Sequence, residues 1–202
     1  MMWHMSTEYK DVRQHILDTG MVIINGKGFA AVGLTEILST ANVPKGSFYH
    51  YFKSKDAFGQ ALLDSYVAGY MASLEDLLKP DGSPAAERLM RYWNGWLDTQ
   101  ACDGPGGKCL VVKLAGEVSD MSEAMRVALL RGTTLIVARL SVCIEEGVAD
   151  GSLSGPFDAA HTALTLYQMW LGAALLTKLR RDRSALEGAL RATLGWLHLP
   201  AA

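Results

Sequence analysis

The chain has 202 residues, of which 50% are hydrophobic and 20% are charged, and its formal net charge is −2. This length and apolar content predict a folded protein of one or two domains and exclude a disordered chain. Three cysteines without a CxxC pair do not make a disulfide framework and indicate reduced thiols, as in the cytoplasm. Because the charge is near neutral, a nucleic-acid partner has to be argued from local motifs.

Neither an export signal nor a membrane span is predicted. The N-terminus lacks a basic patch followed by an apolar run and a cleavage site, which favours a cytoplasmic location. The longest uncharged stretch, Thr162–Thr177, is shorter than the roughly 20 residues that a spanning helix requires. We therefore expect this stretch to form a buried helix.

Apolar residues recur at helical spacing along nearly the whole chain, which predicts an all-α fold of about nine helices. Asn42 and Pro44 mark the end of the second helix and the start of the third, and Ser54 is the expected N-cap of the fourth. The predicted helices cover approximately residues 8–25, 34–41, 44–52, 54 to the break at Pro80, 85–100, a short helix from 109, 122–147, 157–180 and 184–198.

The first three helices have the proportions of a helix-turn-helix unit. Phe48 and Phe52 lie four residues apart and are expected to pack inward, so the opposite face of the third helix points outward. That face carries cationic and hydroxylic groups suited to phosphate, and Gly46 allows close approach of the backbone. The outward side chains are those of Lys45, Ser47, Tyr49 and His50.

These motifs are similar to the N-terminal signature of TetR-type transcriptional repressors. The similar residues are Gly28, Phe29, Leu34–Ile37, Pro44–Phe52 and Ser54–Asp56. The resemblance implies a DNA-binding domain over residues 1–53 and an effector-binding and dimerisation domain over residues 54–202. It also implies a homodimer that binds a palindromic operator and pairs through its last two helices.

The same resemblance assigns contacts with double-stranded DNA to particular positions. They are Thr35, Lys45, Gly46, Ser47, Tyr49, His50 and Lys55. Gly33 departs from the family pattern, which often has a capping threonine or serine there, so that phosphate contact is expected to be absent. Gly20 replaces a common alanine inside the first helix, and we expect a loss of about 1 kcal/mol unless close packing requires glycine.

Cys109 follows a glycine-rich loop at the expected start of a helix, with Lys108 adjacent and Lys113 one turn on. A helix N-terminus and nearby cations lower the pKa of a thiol and raise its reactivity. The alternative is that Cys109 is a small buried apolar residue. Cys143 shares a helix face with Ile136 and Leu140, so we assign it to the core.

Residues 109–123, Trp170–Ala173 and Lys178 resemble the electrophile-sensing NemR branch of the TetR-type repressors. The resemblance implies that Cys109 is the reactive position. It also implies that Lys178 takes part when Cys109 is oxidised or modified. Cys102 is a conceivable resolving thiol without a counterpart in that branch.

Two other functions remain open from the sequence. A non-covalent effector pocket would be lined by aromatic residues, although their spacing more often indicates a core than a pocket lining. These residues are Tyr92, Trp93, Trp96, Tyr167 and Trp170. A thiol-dependent enzyme is disfavoured because Cys109 has no identifiable histidine base and no cofactor motif. We predict no cofactor and no metal, since the histidines lack ligand spacing.

Overall fold

The computed structural model describes residues 4–100, 109–156 and 158–200. Within these ranges it contains nine α-helices and no strand, which confirms the all-α prediction. The helices are α1 (His4–Lys27), α2 (Leu34–Ala41), α3 (Lys45–Tyr51), α4 (Lys55–Leu78), α5 (Ala85–Gln100), α6 (Leu110–Met121), α7 (Glu123–Ala149), α8 (Ala159–Arg180) and α9 (Ser184–Trp196).

Local chemistry explains where the helices begin and end. Asn42 closes α2 in the left-handed conformation at φ 53°, a backbone state that asparagine tolerates. Pro44 precedes α3 with φ −61°, close to its only accessible value. Ser54 caps α4 as expected, since the Ala57 N–H donates to Ser54 Oγ at 3.0 Å.

The chain packs as two compact units. The first unit comprises residues 1–68 and 113–131, and the second comprises residues 69–112 and 132–202. The packing boundary therefore falls inside α4 and does not coincide with the predicted domain boundary at residue 53. The division into 1–53 and 54–202 remains a prediction about function.

Aromatic side chains form the centre of the first unit. The ring centroids of Phe48, Phe52 and Phe58 lie 5.1 to 5.6 Å apart, so the third helix is fixed by its apolar face. Gly20 lies against Phe58, where an added Cβ would come within 2.5 Å of the ring atom Cζ. Close packing therefore explains this departure from the family pattern.

In the second unit, a buried polar group holds the end of α4. The Leu78 carbonyl accepts hydrogen bonds from Arg88 Nη1 at 2.5 Å and from Arg139 Nη2 at 2.8 Å. Arg88 is only 4% exposed and forms an ion pair with Glu146 at 2.8 Å. Cations at a helix C-terminus interact favourably with its dipole, so this arrangement stabilises the last turn of α4.

In the part of the chain that the structure describes, one helix, α7, is long and apolar enough to cross a membrane on length and composition alone. It also carries arginines at positions 126, 131 and 139, and its apolar residues Met125, Ile136 and Leu140 are buried inside the protein. These features are typical of a core helix in a folded protein.

Candidate functional site

The predicted DNA contacts on α2 and α3 form an outward face, which we call the recognition surface. Phe48 is fully buried, whereas Tyr49 is 50% exposed. The recognition surface consists of the exposed residues Thr35, Lys45, Gly46, Tyr49 and His50 and the half-buried Ser47. The Lys45 ammonium lies 5.9 Å from the centroid of the Tyr49 ring. Cationic, hydroxyl and aromatic groups are thus available to one ligand surface.

A shallow cleft of about 450 Å³ runs along the junction of α2 and α3. Its lining comprises Thr35, Leu38, Ser39, Asn42, Val43, Pro44 and Lys45. The structure therefore brings together Thr35 and Lys45, which the sequence separates by ten positions.

Lys55 has a different environment from the rest of the predicted contacts. It is half-buried, and its ammonium donates to the Phe29 carbonyl at 2.9 Å. The same ammonium lies 4.6 Å from the centroid of the Phe29 ring. Lys55 therefore supports the loop between α1 and α2, a role that the sequence reasoning missed. Its predicted phosphate contact stays a prediction.

Glu117 on α6 binds the same loop. Its carboxylate accepts from the backbone N–H of Phe29 at 3.1 Å and from that of Ala30 at 2.5 Å. The neighbouring Lys113 ammonium donates to the Gly26 carbonyl at 3.3 Å. The sequence placed Lys113 beside the Cys109 thiol, whereas the structure engages its ammonium with the end of α1.

Two further polar contacts join α4 to the start of α7 within the first unit. Ser122 Oγ donates to Asp56 Oδ2 at 2.8 Å, and Arg131 pairs with Asp64. The family signature includes Asp56 and the segment 109–123 includes Ser122, but neither resemblance predicted these contacts, because the spacing of the residues along the chain gives no sign of them.

Cys109 lies immediately before α6 and is 6% exposed. Its backbone N–H donates to Gln100 Oε1 at 2.9 Å, which ties it to the last residue of α5. Lys108 and Cys102 lie outside the described residues. Lys178 is half-buried on α8, with its ammonium nitrogen buried.

Tyrosines share the electrostatic environment of Cys109. The pKa of Tyr70 is raised to about 12, chiefly by burial; the hydrogen bond with Tyr92 lowers it, the electrostatic interaction with Cys109 raises it, and the hydrogen bond with Trp96 lowers it. Burial, followed by the charge of Cys109, raises the pKa of Tyr167 as well. Both phenols therefore stay protonated at neutral pH and are hydrogen-bond donors.

The residues proposed as a pocket lining form a packed group, which we call the aromatic cluster: Tyr92, Trp93, Trp96, Tyr167 and Trp170. Trp93 stacks on Trp170 with centroids 5.0 Å apart and an interplanar angle of 15°. The Tyr92 hydroxyl lies 2.8 Å from that of Tyr70. Every ring of the cluster is buried, so the cluster forms part of the core of the second unit.

Cys143 differs from Cys109 in its chemistry. Its side chain is fully buried, and Sγ donates to the Ala85 carbonyl at 3.6 Å. Burial raises the pKa of the Cys143 thiol to about 11. The core assignment is confirmed, and burial together with the raised pKa makes this thiol a weak nucleophile at neutral pH.

Comparison with known families identifies the class. Residues 16–62 match the family described as bacterial regulatory proteins, tetR family. Residues 85–193 match the tetracyclin repressor-like C-terminal domain. The chain belongs to the TetR family of helix-turn-helix transcriptional repressors and is not an enzyme.

Individual relatives cover most of the chain. It is 41% identical over 180 residues to the HTH-type transcriptional repressor NemR of Escherichia coli K12, spanning 89% of this chain and 90% of the relative. It is 32% identical over 176 residues to the repressor DhaR of Mycobacterium sp. strain GP1, spanning 87% of each. The crystal structure of the reduced form of E. coli NemR matches with a TM-score of 0.89 at 41% identity, covering 95% of this chain and 100% of that one.

Proposed function

We propose that this protein binds a palindromic operator as a homodimer in the cytoplasm and is released when an electrophile or oxidant modifies Cys109. The observation that carries the proposal is the position of Cys109, buried and directly before α6, in a chain 41% identical to a repressor whose structure is described as a reduced form. Adding a bulky group to a buried side chain needs volume that close packing does not provide, so we expect α6 to move.

The recognition surface supports the DNA-binding step. Lys45 and Ser47 suit phosphate oxygens, whereas Tyr49 and His50 are available to base edges in the major groove. One short helix reaches only a few base pairs, so specific binding needs a symmetry mate placed about 34 Å away along the duplex.

Exposed apolar residues on α8 support dimerisation. Leu164, Leu175 and Leu179 are 43%, 48% and 72% exposed and recur on one side of the helix. On α9, small residues at 188, 192 and 195 permit close approach of a partner helix. Leu186 and Leu197 lie on the same helix but are fully buried within the protomer, so they are not available to a partner.

The sensing step is a covalent one. The Cys109 thiol loses its proton to water, and its sulfur bonds to the electrophilic carbon of an unsaturated carbonyl or a dicarbonyl compound. With an unsaturated carbonyl, the electron pair of the carbon–carbon double bond moves into the conjugated system, which then takes a proton from water. With a dicarbonyl, the sulfur bonds to one carbonyl carbon, the π electron pair moves to the oxygen, and that oxygen takes a proton from water to give a hydroxyl group. With a peroxide as the oxidant, the thiolate sulfur bonds to one peroxide oxygen as the O–O bond breaks, so the sulfur is oxidised to a sulfenic acid and the other oxygen leaves as water or an alcohol.

The test is a gel-shift titration with N-ethylmaleimide and, separately, methylglyoxal. Wild type and Cys143→Ser are expected to lose the operator with the same dose response, whereas Cys109→Ser retains it. Mass spectrometry should locate the adduct on Cys109, and Cys102→Ser reports whether that residue takes part. Release of Cys109→Ser at wild-type doses would refute covalent sensing at Cys109.

One observation favours a second candidate, a non-covalent effector. The Trp93 indole N–H is fully buried and has no hydrogen-bond acceptor among the described residues. A buried donor without an acceptor is unfavourable, so a ligand oxygen placed there would be bound well. Operator release from Cys109→Ser by a saturated, non-electrophilic carbonyl compound would favour this alternative.

A further inference from the structure

Glu117 offers a physical link between α6 and the DNA-binding helices. We infer that Glu117 is the positioning residue through which α6 sets the α1–α2 loop, and with it α2 and α3, for operator binding. This inference rests on the proposed function, because it names the contact by which modification of Cys109 reaches the recognition surface.

The carboxylate of Glu117 accepts from two consecutive backbone donors. Its distances are 3.1 Å to the nitrogen of Phe29 and 2.5 Å to that of Ala30. Hydrogen bonds to an ionised carboxylate are among the stronger ones in proteins, and successive N–H groups in a turn form a concave site for an anion. The carboxylate therefore fixes the conformation of the loop as well as its position.

Gly28 shows that the loop is shaped around this carboxylate. It has φ +93°, a conformation that glycine adopts without strain. A Cβ at this position would lie 3.1 Å from Glu117 Oε2. Both the backbone conformation and the space are thus compatible with glycine and unfavourable for larger residues.

Two ammonium groups bind backbone carbonyls in the loop and in the last turn of α1 before it. Lys55 donates to the Phe29 carbonyl at 2.9 Å, and Lys113 donates to the Gly26 carbonyl at 3.3 Å. The loop therefore has two N–H donors bound by an anion and its Phe29 carbonyl bound by a cation, while a second cation binds the last turn of α1, which leads into the loop. Of these three side chains, Glu117 and Lys113 belong to α6. Helix α6 therefore contacts both N–H donors and a carbonyl acceptor in this part of the chain.

The chain connects Cys109 directly to this contact. Cys109 immediately precedes α6, and Glu117 lies eight residues later within the same uninterrupted helix. At 1.5 Å per residue this is about 12 Å along the helix axis. A helix moves as a rigid element over such a length, so a shift at its first turn also shifts the Glu117 carboxylate. Short, directional hydrogen bonds to the loop do not survive a displacement of about 1 Å without a matching loop movement.

The experiment measures operator affinity by fluorescence anisotropy, before and after saturation of Cys109 with N-ethylmaleimide. The variants are Glu117→Gln, Gly28→Ala and the matched control Asp120→Asn, which removes an exposed charge from the same helix. Active fractions are normalised by titration at saturating DNA, and thermal unfolding confirms that each variant is folded. We expect Glu117→Gln and Gly28→Ala to bind the operator about tenfold more weakly than wild type, and Asp120→Asn to bind like wild type.

The decisive readout is the response to modification, which a purely structural role of Glu117 would not change. In Glu117→Gln, modification of Cys109 should lower operator affinity by a smaller factor than in wild type, because the loop is already released. The inference would be overturned if Glu117→Gln bound the operator as tightly as wild type does. It would also be overturned if modification lowered the affinity of Glu117→Gln by the same factor as that of wild type. If wild type itself does not respond to modification, the proposed sensing fails while the affinity comparison of unmodified proteins still tests the positioning role.

Discussion

In the first unit most of the side chains assigned to DNA are exposed, whereas in the second unit the assigned thiol and the aromatic cluster are buried. Tyr49 is half exposed, but Cys109 is 6% exposed and Trp93 fully buried. A surface group acts through its own charge and hydrogen-bond donors, and these can be read from its residue type in the sequence. A buried group acts through its neighbours from other helices, so its role depends on packing that the local sequence does not contain.

The largest expected difference concerns buried and exposed aromatic residues. Trp93→Ala removes a ring stacked on Trp170 at 5.0 Å, so we expect a loss of about 3–5 kcal/mol in the free energy of unfolding. Tyr49→Ala, at an exposed position, should change unfolding by less than about 0.5 kcal/mol while weakening operator binding. Urea unfolding followed by circular dichroism checks both. Equal destabilisation by the two variants would contradict the comparison.

The two buried cysteines should differ in reactivity. Burial raises the pKa of Cys143 from 9.0 to about 11, so its thiolate fraction at pH 8 is about one hundredth of that of an ordinary thiol. We expect Cys143 to react with iodoacetamide about tenfold faster per pH unit up to a pH of about 11, as far as the fold persists. Rates from mass spectrometry on the Cys109→Ser background give the profile. A plateau near pH 8 would show that the thiol is not shielded.

Substitutions of two glycines in α1 distinguish the effect of packing on stability from the effect of helix propensity. Gly20→Ala would place a Cβ 2.5 Å from Phe58 Cζ, so we expect a destabilisation of about 1–3 kcal/mol from overpacking. Gly26→Ala, with nothing within 4 Å of the new Cβ, should instead gain roughly 0.5 kcal/mol or more from helix propensity. Thermal unfolding of both variants decides the signs, and a stabilising Gly20→Ala would refute the packing explanation.

Substituting the cation on the recognition surface and the cation that supports the loop should have different effects. Lys45→Ala should weaken operator and random DNA by similar factors and reduce the salt slope of binding by about 1. Lys55→Ala additionally loses the bond to the Phe29 carbonyl, so its unfolding free energy should fall by about 1 kcal/mol. Lys79→Ala is the control, because Lys79 pairs with Asp76 at the far end of α4. A sequence-selective effect of Lys45→Ala with an unchanged salt slope would show that it reads bases.

The smallest expected effect is a gain at the start of α2. Gly33 is the N-cap of this helix, has extended backbone angles and has open space at the Cβ position. Gly33→Ser should add a side-chain cap and stabilise the protein by a few tenths of a kcal/mol. Differential scanning calorimetry resolves such a change, and a lower melting temperature would contradict it.

Much of the helical framework could be predicted because its signals are local. Asn42, Pro44 and Ser54 mark helix ends through their own backbone and hydroxyl chemistry, and α2 and α5 begin and end where the sequence indicated. The start of α1 was placed four residues late, since helix ends carry the weakest pattern.

The contacts missed from the sequence all join residues far apart along the chain. Glu117 and Phe29 are 88 positions apart, and Ser122 and Asp56 are 66 apart. No periodicity links such pairs, because which helices meet is decided by the packing of the whole chain.

The two guanidinium groups on the Leu78 carbonyl have a practical consequence for handling the protein. Salt at several hundred millimolar screens exposed phosphate contacts and dissociates protein–DNA complexes, whereas a pair whose arginine is 4% exposed is screened much less. Salt alone should therefore elute the repressor from a column of immobilised operator. The eluted repressor should remain folded and bind again after dilution.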